Sequence, residues 1–248
     1  MEQSGIWTEK RKIEAINVGP SRKLKLTALQ GFLQEIAGNH AHSYGVGFHG
    51  MRERDLYWVL QRLQINMLTY PDWRQTIHHQ TWIKEMKGPF SYREFMILSD
   101  TGESMAKAST IWTAVSSTSY RPQRVDSLID NWPIIPEKYA IEEVPPRLRL
   151  PDAPFEEMAY QVQFSDLDML NHVNNTKYLE WVFNTYSLDW WENKLPEKLI
   201  INFSAEVRAG QQLSIRTYEI SADTYLHGIM VDEKPACMIQ LSWQEVTS

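Results

Sequence analysis

Between Thr27 and Tyr44 the apolar residues Leu29, Phe32, Leu33, Ile36, Ala37, Ala41 and Tyr44 recur mostly at steps of three and four. That spacing gathers them on one face of a helix. Thr27 and Gln30 stand in capping-box register at its start, and Gly45 is placed to end it. A strand over Trp7–Val18 precedes the helix. Strand patterns follow over Leu56–Tyr70, Gln75–Met86, Ser91–Ser99 and Ser104–Ser116, the last two joined by the turn "DTGE". The same order then recurs. A strand over Glu157–Phe164 leads to a helix near Asn174–Trp190, with Tyr178, Trp181 and Val182 at core-facing spacing. Strands over Leu199–Val207, Gln212–Ser221, Tyr225–Val231 and Ala236–Val246 complete the second set.

Seven of the twelve prolines fall between Tyr120 and Phe155. Proline breaks helices and central strands, so residues 119–154 read as an extended linker between a module over 1–118 and a module over 155–248. Strand, long helix and four antiparallel strands, occurring twice, predict an α+β fold: two antiparallel sheets, each wrapped around one long helix. Pairing the two sheets edge to edge into one continuous sheet would remove an exposed edge from each.

If the modules are copies, a polar residue present in only one of them needs its own reason. Aligning "INMLTYPDWRQTI" (Ile65–Ile77) with "FSAEVRAGQQLSI" (Phe203–Ile215) sets Glu206 against Leu68. Glu206 either faces water, as most glutamates do, or acts as a base at a cleft. The stretch "DLDMLNHVNNTKYLEW" (Asp166–Trp181) crowds polar residues in front of the second helix. Unpaired amides at a helix entry can hold a carbonyl oxygen and stabilise the oxyanion formed on nucleophilic attack; those of Val173 and Asn174 are the candidates. Asp168, Asn171, Asn174 and Asn175 equally suit caps and turns. With Glu206, however, Asp168 and His172 make a set that can orient and deprotonate a water, as hydrolysis of an activated acyl group requires.

Composition narrows the field. The chain has 248 residues, 43% hydrophobic and 23% charged, which is ordinary for a globular protein with a sizeable core. A net charge of -6 speaks against nucleic acid as the partner. The one cysteine, Cys237, excludes an intramolecular disulfide and thiolate metal clusters, and suits a reducing compartment. Its predicted strand offers no activating context. The N-terminus "MEQSGIWTEK" lacks a signal-peptide pattern, and no apolar run approaches the roughly 20 residues of a membrane span. A cytoplasmic protein is expected. His78 and His79 would point to opposite faces of a strand, and His40 and His42 lie about 200° apart on a helix, so neither pair suits a metal. No G-x-S-x-G, phosphate-binding or dinucleotide fingerprint occurs.

Several stretches resemble the acyl-acyl carrier protein thioesterases of plants and bacteria. They are "LQEIAGNHAHSYGVG" (Leu33–Gly47), "LYWVLQRLQINMLTYPDW" (Leu56–Trp73), "TGESMAKASTIW" (Thr101–Trp112), "SDLDMLNHVNNTKYLEW" (Ser165–Trp181) and "FSAEV" (Phe203–Val207). The resemblance covers nearly the whole chain. It implies a tandem double hotdog fold, with an N-terminal module that binds the acyl chain and a catalytic C-terminal module. By motif position it makes Asp168, His172 and Glu206 catalytic. The family asparagine two residues after the aspartate is Leu170 here, with Asn171 beside it as the candidate replacement. The cysteine that follows the glutamate in many plant members is Val207.

The implied reaction is hydrolysis of fatty acyl-acyl carrier protein thioesters, releasing free fatty acid and ending chain elongation. No cofactor or metal is implied, because the phosphopantetheine arm arrives with the substrate. Acyl carrier protein is acidic, so Arg22, Lys23, Lys25, Arg121 and Arg124 are candidates for docking it, against the plainer reading of a solvated charged surface. A further homodimer is compatible with the sequence. The rival readings are an acyl-coenzyme A thioesterase, a non-catalytic acyl-binding hotdog protein and a hotdog dehydratase.

Overall fold

The helical periodicity after Lys25 becomes α1 (Leu26–Ser43), whose buried face carries Leu29, Leu33, Ile36, Ala37, His40 and Ala41. Each large aliphatic side chain moved out of water here contributes about 1.5–3 kcal/mol. The computed structural model describes residues 5–126, 132–169 and 171–246. The chain divides into two compact units, Met1–Pro145 and Pro146–Ser248.

In the first unit, β1 (Trp7–Lys12), α1 and α2 (Phe48–Arg52) are followed by β2 (Leu56–Met67), β3 (Thr76–Lys87), β4 (Phe90–Ser99), β5 (Ser104–Ser116) and the short β6 (Pro122–Gln123). Its strands pair antiparallel in the order β1-β3-β4-β5-β2, with β6 on β5. In the second unit, β7 (Glu156–Gln161), α3 (Asn175–Phe183) and α4 (Leu188–Asn193) are followed by β8 (Lys194–Phe203), β9 (Gln212–Ser221), β10 (Thr224–Val231) and β11 (Lys234–Glu245). The order there is β7-β9-β10-β11-β8. Apart from β6 this is the same topology, so the repeat read from the sequence is a repeat of fold.

The boundaries differ where local bonds intervene. The expected strand Trp7–Val18 stops at Lys12, because a 3-10 turn follows over Ala15–Asn17, closed by the reciprocal bonds of Glu14 and Asn17. Lys25 occupies the N-cap of α1 with no side-chain cap bond, and Gln30 is buried, so the expected Thr27–Gln30 capping box does not form. The second helix breaks after Phe183, and Ser187 restarts it as α4 by accepting the Trp190 amide at 3.2 Å. Strand β8 begins earlier than the apolar pattern suggests. Pro196 sits at a register shift against Ser242 and Trp243, where a missing amide is tolerated.

Residues in the proline-rich stretch strap the face of the first sheet opposite α1. Trp82 Nε1 donates to the Lys138 carbonyl at 3.0 Å, and Arg62 Nη1 donates to the Pro145 carbonyl at 2.6 Å. Glu94 Oε2 accepts the Ala140 and Ile141 amides at 3.1 and 3.2 Å, while Oε1 accepts the Ser109 hydroxyl at 2.8 Å. Burial pushes the Glu94 carboxyl up, and these three donors pull it back towards the charged form. In the second unit the Asn202 side chain accepts the Leu148 amide at 2.8 Å and donates to the Pro146 carbonyl at 3.0 Å.

Three histidines are buried neutral. Arg93 can only donate, so His40 Nδ1, 3.0 Å from Arg93 Nη1, is an unprotonated acceptor. Burial first, and then the Arg93 charge, lower His40 to about 3. Burial, followed by Arg11 and His78, lowers His79 to about 3. Burial alone lowers His227 to about 3; its two ring nitrogens meet Tyr186 Oη at 2.8 Å and Thr217 Oγ1 at 3.0 Å. The unfolded chain protonates these rings below pH about 6.5 and the folded chain does not, so stability is full above that pH. It is then lost as pH falls towards 3, by up to about 1.4 kcal/mol per pH unit for each histidine. Urea unfolding should therefore give a lower midpoint at pH 5.0 than at pH 7.5; equal midpoints would mean that these rings are charged in the fold.

Candidate active site

The chain closes on itself ahead of α3, where Asp166 and Asn174 meet. The Asn174 amide donates to the Asp166 carbonyl at 2.9 Å and shuts the loop. Within it the Asp168 amide donates to the His172 carbonyl at 2.8 Å, and the Asn171 amide donates to the Asp168 carbonyl at 3.1 Å. Asp168 Oδ1 accepts the His172 amide at 3.1 Å. Asn171 takes a left-handed backbone, φ 60°, which asparagine tolerates better than most residues. The neighbouring Leu170 lies outside the described residues.

Glu206 comes from the other side. Strand β8 ends at Phe203, and the Ser204 and Ala205 amides both donate to the Ala236 carbonyl, at 2.8 and 3.1 Å. That bulge carries Glu206 beyond the strand in which the sequence placed it. The Val173 amide donates to the Val207 carbonyl at 3.1 Å, and His172 bridges Arg208. These contacts staple the loop to the strand end. They leave His172 Nε2 3.7 Å from Glu206 Oε2, with side chains 35% and 41% exposed. The separation is longer than a hydrogen bond and within ion-pair reach, and both groups are open to water.

Beneath them Tyr178 is buried on α3. Burial, then the Cys237 thiol and the Glu206 and Asp168 carboxylates, push its hydroxyl well up against the opposing pull of the Val207 amide; it stays protonated. Cys237 is fully buried and its thiol is pushed up by burial, so it is no nucleophile. Val207, after the glutamate, is buried as well.

Two expectations are corrected. The Val173 and Asn174 amides are already bonded, to Val207 and Asp166, and neither is free to hold an oxyanion. The Asn174 side chain instead caps α3, with Oδ1 accepting the Thr176 amide at 3.0 Å and its hydroxyl at 2.9 Å. The repeat register shifts by two. The Leu68 and Thr69 amides both donate to Met105, as Ser204 and Ala205 do to Ala236, so Glu206 corresponds to the buried Tyr70 rather than to Leu68. The turn has one length in both units, since the Gln75 amide donates to Asp72 as the Gln211 amide does to Arg208; a slip of two residues preserves the strand alternation and so leaves no mark in the pattern.

The candidate docking cations fall in two places. Lys23, with Asp72 at 2.9 Å, stands in the first unit where His172 stands in the second; Arg22 matches Asn171 and Lys25 matches Asn174. Arg121 and Arg124 flank β6, and Arg124 is paired to Asp126 at 2.6 Å. Among the described residues no group of three or more His, Cys, Asp or Glu side chains is arranged to hold a metal. No helix among them is long and apolar enough to cross a membrane.

Comparison with known proteins agrees with this architecture. Residues 5–130 match the family model described as the acyl-ACP thioesterase N-terminal domain, and residues 151–245 match that of the C-terminal domain. An oleoyl-acyl carrier protein thioesterase of Arabidopsis thaliana is 29% identical over 205 residues, which is 75% of this chain and 55% of the relative. A palmitoyl-acyl carrier protein thioesterase of Gossypium hirsutum is 25% identical over 214 residues, 81% of this chain and 52% of the relative. Both are chloroplastic proteins, and the chain spans about half the length of the curated relatives it matches. An acyl-ACP thioesterase structure from Bacteroides thetaiotaomicron superposes with a TM-score of 0.90 at 22% identity, covering 97% of this chain and 98% of the other. The 12:0-ACP thioesterase of Umbellularia californica superposes with a TM-score of 0.85 at 22% identity, covering 98% of each chain. The shared fold is the double hotdog.

Asn174→Ala removes the N-cap of α3. It should cost about 1 kcal/mol, lowering the melting temperature by about 2–4 °C in a calorimetric scan.

Proposed function

The chain belongs to the acyl-ACP thioesterase family, and we propose that its second unit hydrolyses fatty acyl-acyl carrier protein thioesters. The observation that carries this is the His172–Glu206 pair, held 3.7 Å apart by segments remote in sequence and open to solvent. His172 takes a proton from a water oriented by Glu206. The water oxygen attacks the thioester carbonyl carbon, the tetrahedral intermediate collapses with cleavage of the C–S bond, and His172 returns the proton to the departing thiolate. The products are a free fatty acid and the carrier's phosphopantetheine thiol. Asp168 shapes the loop, since Oδ1 is bonded to the His172 amide. This favours water over an Asp168 acyl-enzyme.

The reading assigns the acyl chain to the first unit and carrier docking to basic side chains. Of the candidates Arg22, Lys23, Lys25, Arg121 and Arg124, all but the half-buried Lys23 are exposed. A single cysteine suits action in the reducing cytoplasm.

The test is release of free fatty acid from matched carrier-protein and coenzyme A thioesters across chain lengths. Carrier-protein substrates should be preferred. His172→Ala and Glu206→Gln should each lower kcat by about 100-fold or more in a folded protein. Near wild-type turnover in both variants would sink the proposal, and faster turnover of coenzyme A substrates would move the activity to that class.

A further inference from the structure

Asp166 is buried two residues ahead of the catalytic loop's own aspartate. Its Oδ2 accepts the Tyr160 hydroxyl at 2.9 Å and the Gln163 amide at 2.8 Å, and its Oδ1 accepts Trp181 Nε1 at 3.3 Å. Its carbonyl accepts the Asn174 amide that shuts the loop. One residue thus ties β7, the 3-10 turn Phe164–Asp166, the loop and α3 together. A carboxylate removed from water is costly unless donors surround it, and three do here.

The first unit contains its own control. There the same loop frame is built on a neutral residue, Asn17. Asn17 Oδ1 accepts the Glu14 amide at 3.0 Å, its carbonyl accepts the Lys25 amide at 2.9 Å, and the Gly19 amide donates to the Lys23 carbonyl at 3.1 Å. Val18 bridges Leu24 as Leu167 bridges Val173. Around Asn17, Arg11 lies 4.3 Å over the Phe32 ring, in the positions of Tyr160 and Trp181, whose rings are 4.8 Å apart. An amide therefore suffices to form the loop. The charged version, with two aromatic donors fixed on it, occurs in the copy that carries His172 and Glu206.

We propose that Asp166 is a positioning residue for the reaction, and that its buried negative charge, beyond the loop shape it shares with Asn17, fixes the setting of His172. This rests on the reading of His172 and Glu206 as the reacting pair. Hydrolysis makes His172 an imidazolium, and a fixed negative charge behind its loop favours that state without touching substrate. The aromatic donors keep the charge from rotating away: Trp181 is buried on α3 and Tyr160 belongs to β7. Both follow the loop only if the loop stays in place.

The experiment uses Asp166→Asn, which the first unit shows to be compatible with the loop, and Tyr160→Phe, which keeps the carboxylate and removes one donor. Three quantities are measured: the His172 ring signals by NMR at a single pH, identified with His172→Gln; kcat and KM on an acyl-carrier protein thioester; and the melting temperature. Asp166→Asn should shift the ring signals and lower kcat about tenfold, with KM within about twofold and melting within about 3 °C. Tyr160→Phe should give a smaller change of the same kind. Unchanged ring signals and kcat in Asp166→Asn would overturn the proposal. So would a kcat loss that disappears at a temperature where the variant is fully folded, since that is the mark of a structural role. If the wild-type chain hydrolyses no acyl-carrier protein while the ring signals still shift, the positioning of His172 stands and the hydrolase reading falls.

Discussion

The bond from the Val173 amide to the Val207 carbonyl makes one site out of two remote segments. Without it the loop ahead of α3 and the turn after β8 would be separate surface features. With it, and with the His172–Arg208 bridge beside it, the imidazole and the carboxylate face each other across a gap that solvent can enter. The same staple is present in the first unit, where the Leu24 amide donates to the Pro71 carbonyl at 2.9 Å. The site is thus an elaboration of a contact that the fold makes in any case. Such contacts are cheap places to install chemistry, because the backbone geometry needs no ligand to hold it.

The two copies use this frame in opposite ways. Where the second unit places His172 and Glu206, the first places Lys23 and Tyr70. Lys23 is tied to Asp72 and Tyr70 is buried, its hydroxyl pushed far up by burial. A fixed ion pair and a buried phenol stand where the second unit has an imidazole and a carboxylate open to water. The first unit also keeps charge inside: Arg93 is buried, lowered to about 9 by that burial, and leans on the neutral His40 and on Thr81. That guanidinium is matched to buried acceptors rather than to solvent.

Much of the architecture is legible in the residues. The three- and four-residue steps of Leu29, Phe32, Leu33 and Ile36 specify α1, and the turn at Gly102, φ 86°, fixes the β4–β5 hairpin. Asp168 and His172 stand out at the entry to the second helix and Glu206 on a distant strand, and the fold brings these segments together. Legibility ends where long-range bonds decide. The bulge at Ser204 and Ala205, which carries Glu206 past the end of β8, depends on a carbonyl of Ala236. The amides of Val173 and Asn174 look available at a helix entry until Val207 and Asp166 are placed beside them. Asp166 and Asp168 are alike on paper. Only burial separates the one that anchors from the one that shapes the loop, and burial is a property of neighbours that the local pattern does not contain.

The strap over the first sheet bears on how the chain is made. Its bonds to Trp82, Glu94 and Arg62 end at Pro145, so every partner they need has left the ribosome once that residue emerges. Pro146 and Leu148 are different: they wait for Asn202, synthesised more than fifty residues later. Translation therefore reaches the first unit's strap complete and the second unit's still open. The boundary between the two units is thus a point in time as well as in space.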